Sequence, residues 1–256
     1  YNIYVLTERN WTIMKKDLVS VLMVNYNHAD TIEKSIRSVL EQTYSKLQLI
    51  IVDDGSTDNS VEIINSIEDP RIELYEEKEN KQICAVTNIG MKKVRGEYFA
   101  RIDSDDLWEK NKLEIQVEYL KNHSEQKICF THAAIINEKD QIIDSELEKL
   151  YAVNYESQEE WLETFFFIGN CLPMTSVLMT TKLMVEIGEF NIAYRQLHDF
   201  DYWVRVAKKC PMAVISKKLV RMRRYDNEIN NSNTSEENMT RTYNEYVDIL
   251  PILYLY

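Results

Sequence analysis

Glycine is scarce in this chain of 256 residues, which holds only five. None falls in a G-x-G-x-x-G or a G-x-x-x-x-G-K-[ST] pattern, so a dinucleotide fingerprint and a P-loop are both absent. Positive charge is also in short supply: Lys and Arg number 30 against 42 Asp and Glu, a formal net charge of −12. Such a surface is not built to neutralise a phosphate backbone, which excludes nucleic acid as a partner. A single nucleotide, held by a metal and a few local groups, stays open. Cys84, Cys129, Cys171 and Cys210 are widely spaced with no C-x-x-C pair, so they form neither a zinc ribbon nor a disulfide framework. They read as buried thiols in a reducing, cytoplasmic setting. No run approaches the ~18 apolar residues of a membrane span, and no secretory signal opens the chain. The missing initiator Met reads as the mark of a fragment of a longer protein.

What the chain does have is a 45% hydrophobic composition, enough for one large α/β domain or two small ones. It also has acid in unusual places. Asp103-Ser104-Asp105-Asp106 puts three carboxylates in four residues, directly after the apolar run Tyr98 to Ile102. Like charges this close repel, and a divalent cation is the usual remedy. Asp53-Asp54 follows a second apolar run, Leu47 to Val52. Two strands ending in acid suggest one crevice at the carboxyl edge of a parallel sheet, where α/β proteins bind ligands. The plainer reading is that these residues cap helices and shape turns.

The order of elements supports the crevice. Residues 1–17 are mixed and read as a short helix or arm. Leu18 to Val24 is a buried strand, and Asp30 with Glu33 has the spacing of a capping box before a helix carrying Ile32, Ile36, Val39 and Leu40. Leu47 to Val52, Arg71 to Tyr75 and Tyr98 to Ile102 are strands; a helix with Val61, Ile64 and Ile67, residues 81–94 and Lys110 to His123 are helices. Such alternation means βαβ units and a largely parallel sheet. After residue 127 the pattern becomes mixed. Strands are expected at Lys127 to Ile136, Met174 to Thr180, Met212 to Ile215 and Leu219 to Arg223. Helices are expected at Ser157 to Phe167, Lys182 to Ile187 closed by Gly188, and Asp199 to Lys209. Glu228 to Glu237 reads as a linker and Met239 to Tyr256 as a terminal helix.

The succession Asn25-Tyr26-Asn27, Val52-Asp53-Asp54-Gly55-Ser56-Thr57-Asp58, Asn88-Ile89-Gly90, Asp103-Ser104-Asp105-Asp106 and His198-Asp199-Phe200-Asp201-Tyr202-Trp203 resembles the family-two glycosyltransferases of the GT-A fold. The likeness covers about residues 18–225, and the heptad from Val52 and the D-S-D-D motif match in full. The fold it implies is α/β: a Rossmann-like, mostly parallel central sheet flanked by helices, with a smaller mixed acceptor-side half and a C-terminal helix. The domain boundaries expected from it are an arm at 1–17, a transferase domain at 18–225 divided near residue 126, and a linker and helix at 226–256.

The resemblance implies an inverting, metal-dependent glycosyltransferase that moves a sugar from a nucleotide-sugar donor, a UDP-sugar, to a glycan or lipid-linked acceptor in surface polysaccharide synthesis. Peripheral membrane association and a place at the inner face of the membrane go with that acceptor. It assigns Mn²⁺ or Mg²⁺ to Asp103, Asp105 and Asp106, with Asp105 and Asp106 expected in the inner shell. It assigns the nucleotide to Tyr26, Asn27, Asp53, Asp54, Asn88, Ser104 and Asp105, with Tyr26 stacking on the base and Asp53 accepting from its N–H. Asp199 matches the catalytic base, while Asp201 reads as a first-turn helix acid and Trp203 as core. Arg221, Arg223 and Arg224 lie where a basic strand nears the diphosphate, or on a charged edge strand. Three positions depart from the pattern: His198 replaces a Glu, Thr87 replaces an Arg, and Asn80 to Cys84 replaces a Gly-rich lead. These departures keep a second reading open, a nucleotide-sugar-binding module without turnover. A phospho-receiver domain suits Asp53-Asp54 only superficially.

Overall fold

The computed structural model describes residues 3–7, 10–225 and 235–254. The chain opens with an antiparallel pair, β1 (Ile3–Thr7) and β2 (Asn10–Asn25), not with the helix or arm expected for residues 1–17. The buried strand is the second half of β2, so the periodicity from Leu18 caught its core and missed its extension. Helix α1 (Ile32–Leu40) follows, then β3 (Leu47–Asp53), α2 (Ser60–Asn65), β4 (Ile72–Glu76), α3 (Ile83–Met91) and β5 (Gly96–Asp103). The two-residue β6 (Leu107–Trp108) and α4 (Lys112–Asn122) complete the first half. The second half holds β7 (Ile128–Ile136), α5 (Glu146–Leu150), α6 (Gln158–Phe167), a 3₁₀ turn (Met174–Ser176), β8 (Leu178–Thr180), α7 (Thr181–Ile187), α8 (His198–Ala207), β9 (Ala213–Arg223) and α9 (Glu236–Tyr254).

The strands form one sheet in the order β4-β3-β2-β5-β8-β7-β9-β6, with β1 on the flank of β2. From β4 to β5 every pairing is parallel; beyond β5 antiparallel β8 reverses the sheet, and the remainder is mixed. Side chains alternate between two cores, as a sheet covered on both faces requires. Leu22, Ile50, Val52 and Phe99 face the core under α3, α6 and α8. Val21, Met23, Ile51 and Ala100 face the one under α1 and α4. Register does the rest: Asn25 pairs with Asp53, and Val24 with Asp103, so three strand ends finish level at one edge.

Several local expectations need correction. Asp30 and Glu33 make no capping box: the N-cap of α1 is Thr31, without a side-chain cap bond. Glu33 is instead drawn to Arg37 one turn on, at 2.7 Å, while the Thr31 and Ser35 hydroxyls donate to the Ser104 carbonyl at 3.1 and 2.8 Å. The real capping box is at Ser157 and Glu160 on α6. The strand expected from Met174 is a 3₁₀ turn first, because Pro173 leads the chain in without an N–H to pair. The two strands expected between Met212 and Arg223 are one, β9, whose exposed middle, Ser216-Lys217-Lys218, coincides with a register shift against β7. Gly188 does close α7, at φ +86°. The expected linker lies mostly outside the described residues, and α9 begins at its end, at Glu236.

Candidate active site

A cleft of about 790 Å³ opens above the level strand ends. Its floor is the carboxyl edge of β2, β3 and β5, and α8 with the start of α3 forms the opposite side.

The β3 turn separates its two acids. Asp53 is only 1% exposed and does not line the cleft. It accepts from Asn25 Nδ2 at 2.8 Å, from the Ser56 N–H at 2.8 Å and from Ser56 Oγ at 2.7 Å. Asp53, the residue expected to meet the base, thus spends these oxygens on shaping the turn. Asp54, one residue on and so on the other side of the strand, lines the cleft. It accepts from the Lys81 and Gln82 N–H groups at 2.6 and 3.1 Å, and burial pushes its carboxyl above the usual range. Gly55 sits at φ +73°, where an added Cβ would lie 2.9 Å from the Glu79 backbone.

Asn27 and Gln82 both have positive φ, +57° and +75°, and both line the cleft. Strain of this sort costs of order 1–3 kcal/mol and gathers at ligand sites. Asn27 Oδ1 accepts from the Thr57 N–H at 2.7 Å, so it ties the first loop to the second. Tyr26 beside it is 43% exposed at the lip, open to a stacking partner.

The β5 acids also divide. Asp103 and Asp105 are part-exposed on the cleft. Burial raises the Asp105 carboxyl; His28 offsets this, and the Asp103 charge adds to it. Asp106 is 2% exposed and accepts from the Arg223 N–H at 2.8 Å. Burial first, then the charges of Asp105 and Asp103, hold its carboxyl well above the usual range. Ser104 lines the cleft with a buried side chain, and its carbonyl anchors α1. Among the described residues no cluster of three or more His, Cys, Asp or Glu side chains is assembled to hold a metal. All three acids line the cleft; Asp103 and Asp105 are part-exposed there, whereas Asp106, expected with Asp105 in an inner shell, is buried. Two hard oxygen donors of this kind suit a cation that keeps its waters and takes further ligands from substrate phosphates.

Across the cleft, Asp199 is the second residue of α8. Its Oδ2 accepts from Asn170 Nδ2 at 2.7 Å and its Oδ1 from the Phe200 N–H at 2.8 Å. The helix N-cap is Leu197, which offers no side-chain bond. Glu245 of α9 instead holds the residues leading into the helix, accepting from the N–H groups of Arg195, Gln196 and Leu197 at 2.9, 2.9 and 2.7 Å. Asp201 is buried against Arg205 at 2.8 Å, and Trp203 packs edge-on to Phe130, so neither lines the cleft.

Asn88 is not brought to the cleft. It is 5% exposed, donates to the Phe190 carbonyl at 2.9 Å and accepts from the Phe190 N–H at 2.8 Å, which fastens α3 to the loop before α8. The basic strand also resolves residue by residue. Arg221 pairs with Glu109 at 2.7 Å. Arg223 is buried, and its Nε donates to the Asp105 carbonyl at 2.9 Å. Arg224 lines the cleft. Sequence reasoning missed Gln82, Arg101, Asn170, Arg195 and Glu245. A conformational signal exists for one of them, Asn170, which follows Gly169 just past the end of α6.

Residues 20–180 match the family described as Glycosyl transferase family 2. Over 195 residues the chain is 30% identical to UDP-Glc:alpha-D-GlcNAc-diphosphoundecaprenol beta-1,3-glucosyltransferase WfaP of Escherichia coli, covering 75% of this chain and 71% of that protein. It is 30% identical over 213 residues to an uncharacterized glycosyltransferase of Rickettsia conorii, covering 82% of this chain but 33% of the relative. The structure superposes on S. aureus TarS 1-349 in complex with UDP-GlcNAc with a TM-score of 0.73 at 15% identity, covering 92% of this chain and 65% of that one.

Proposed function

Because the chain belongs to glycosyl transferase family 2, we propose that its cleft binds a UDP-sugar with a divalent cation and transfers the sugar, with inversion, to a hydroxyl of a glycan or lipid-linked acceptor. The observation that carries this reading is the level register of β2, β3 and β5, which sets Asp54, Asp103 and Asp105 on one floor with Asp199 facing them from α8.

Each residue has its task. Tyr26 offers its ring to the base. Asp54, whose carboxylate is already oriented by two backbone N–H groups, accepts from the base N–H in place of Asp53. Asp103 and Asp105 would hold Mg²⁺ or Mn²⁺, which supplies Lewis-acid stabilisation of the departing diphosphate when bound. Asp199, steadied by Asn170, takes the proton of the acceptor hydroxyl. The acceptor oxygen then bonds to the anomeric carbon from the face opposite the leaving group, and the electron pair of the broken C–O bond leaves with UDP.

The WfaP acceptor, a diphosphoundecaprenol-linked sugar, supports a lipid-linked acceptor here and a place for this domain beside a membrane. Among the described residues no helix is long and apolar enough to cross one. The test is release of UDP from UDP-glucose and UDP-GlcNAc, with and without Mn²⁺, in the presence of a polyprenyl-diphosphate-linked sugar. Acceptor-stimulated, cation-dependent release is expected. Tight UDP binding with no release would return the chain to a binding module.

A further inference from the structure

Arg101 lies on β5 two residues before Asp103 and points to the same face. It is 1% exposed, yet it lines the cleft floor. Its guanidinium is poorly served. Nη2 donates to Asp103 Oδ1 at 3.2 Å, long for a charge-assisted bond. Among the described residues Nε and Nη1 have no hydrogen-bond partner, and the Phe190 ring lies 5.8 Å from the guanidinium. A buried cation in this condition is costly, and an apolar side chain of the same length would serve the sheet as well or better. Unsatisfied buried donors that line a cleft are open to a water or a ligand that enters it.

The surroundings define the ligand's chemistry. Asp103 and Asp199 line the same cleft and would repel a carboxylate brought to Arg101. His198 adds an acceptor. Its Nδ1 lies 3.3 Å from the Arg195 carbonyl, which can only accept, so Nδ1 carries the proton and Nε2 the lone pair of the neutral ring. Burial favours that neutral form. Donor N–H groups beside acceptor oxygen and nitrogen match a hydroxyl, which both accepts and donates. Thr87, where the family resemblance calls for Arg, spends its hydroxyl on the Ile83 carbonyl within α3, so on this side the cation comes from β5.

Resting on the reading of the cleft as a UDP-sugar site, we propose that Arg101 and His198 together read a ring hydroxyl of a neutral donor sugar. The hydroxyl oxygen accepts from the guanidinium and its O–H donates to His198 Nε2, which leaves Asp103 to the cation. Arg101 is thereby a specificity-determining residue for the donor.

The test is calorimetry with UDP, UDP-glucose and UDP-GlcNAc at fixed Mg²⁺, on the parent, Arg101→Met and Arg101→Lys, beside thermal melts. Arg101→Met should melt at or above the parent and bind UDP within about twofold. Its ratio of UDP-sugar to UDP affinity should fall about tenfold for the sugar the parent prefers. Arg101→Lys, which keeps the charge but not the fork, should lose part of that ratio. An unchanged ratio in Arg101→Met overturns the proposal. If Arg101→Met does not fold, an unchanged ratio in Arg101→Lys overturns it. Failure of the parent to bind UDP at all would instead remove the nucleotide reading itself.

Discussion

Beneath the floor of the cleft, Asp53 is fixed by Ser56 three residues away and by Asn25 on the adjacent strand. On the opposite side, the start of α8 is fixed by Glu245, 48 to 50 residues further along the chain. The loop before it is fastened by Asn88 to Phe190 and by Cys84 to the Tyr194 carbonyl, across 102 and 110 residues. The floor is thus a product of parallel strands and local turns, which form as soon as the sheet does. The facing wall is suspended from distant parts of the chain, and any of those tethers can be cut without touching the floor. Donor binding and transfer should therefore come apart under mutation.

The deepest cut should be Asp199→Asn. Transfer is expected to fall ~10²–10⁴-fold, the usual contribution of a general base, with UDP affinity unchanged by calorimetry. A similar loss in Asp201→Asn, whose carboxylate is held by Arg205, would mean that the wall is read in the wrong register. Next comes Glu245→Ala, which strips three backbone N–H groups of their acceptor. Stability should drop by about 2 kcal/mol, seen as a melting point lower by roughly 4–8 °C. Transfer should fall with it while UDP still binds. If transfer survives, α9 does not hold the wall.

The floor is tested by its own pair. Asp54→Ala should weaken UDP binding by ~1.5–3 kcal/mol, as for loss of a hydrogen bond to a charged group, with little effect on the melting point. Asp53→Ala should do the reverse, lowering the melting point more than it alters the contact with the base. Equal effects of the two on UDP affinity would erase the distinction between the acids.

The smallest effect concerns pH. Burial and the neighbouring carboxylates raise Asp106 above its unfolded value. The native state therefore holds a proton that the unfolded chain has released, and stability from this group falls as pH rises from about 4 through the raised value. Asp106→Asn keeps an oxygen to accept from the Arg223 N–H and removes the titration. Its melting point should equal the parent's at low pH and match or exceed it at neutral pH. A variant less stable than the parent at neutral pH would mean that the ionised form contributes to the fold.

The turn motifs were legible because their chemistry is local. A strand, an acid pair, Gly55 and Ser56 specify a left-handed turn wherever they occur, and the D-S-D-D stretch announces charge that must be met. The choice between Asp53 and Asp54 was not legible, since side chains alternate along a strand and parity is settled only by which face the helices cover. Arg101 hid inside a run counted as apolar. Its meaning comes from what its guanidinium lacks, and a string of letters does not record that. Glu245 falls within the stretch expected to be a terminal helix, and closure over 48 residues leaves no periodicity to mark it. Asn88 sits in a recognisable motif, while the letters do not record that its amide bonds Phe190 across 102 residues.

The bond from Glu245 to the start of α8 also sets an order of events during synthesis. Strands β2 to β5 can emerge and pair early, and the nucleotide floor with them, since chains fold from the N-terminal side as they are made. The loop bearing Asp199 gains the Glu245 carboxylate only once α9 has cleared the ribosome and docked, so the two sides of the cleft are completed at different times.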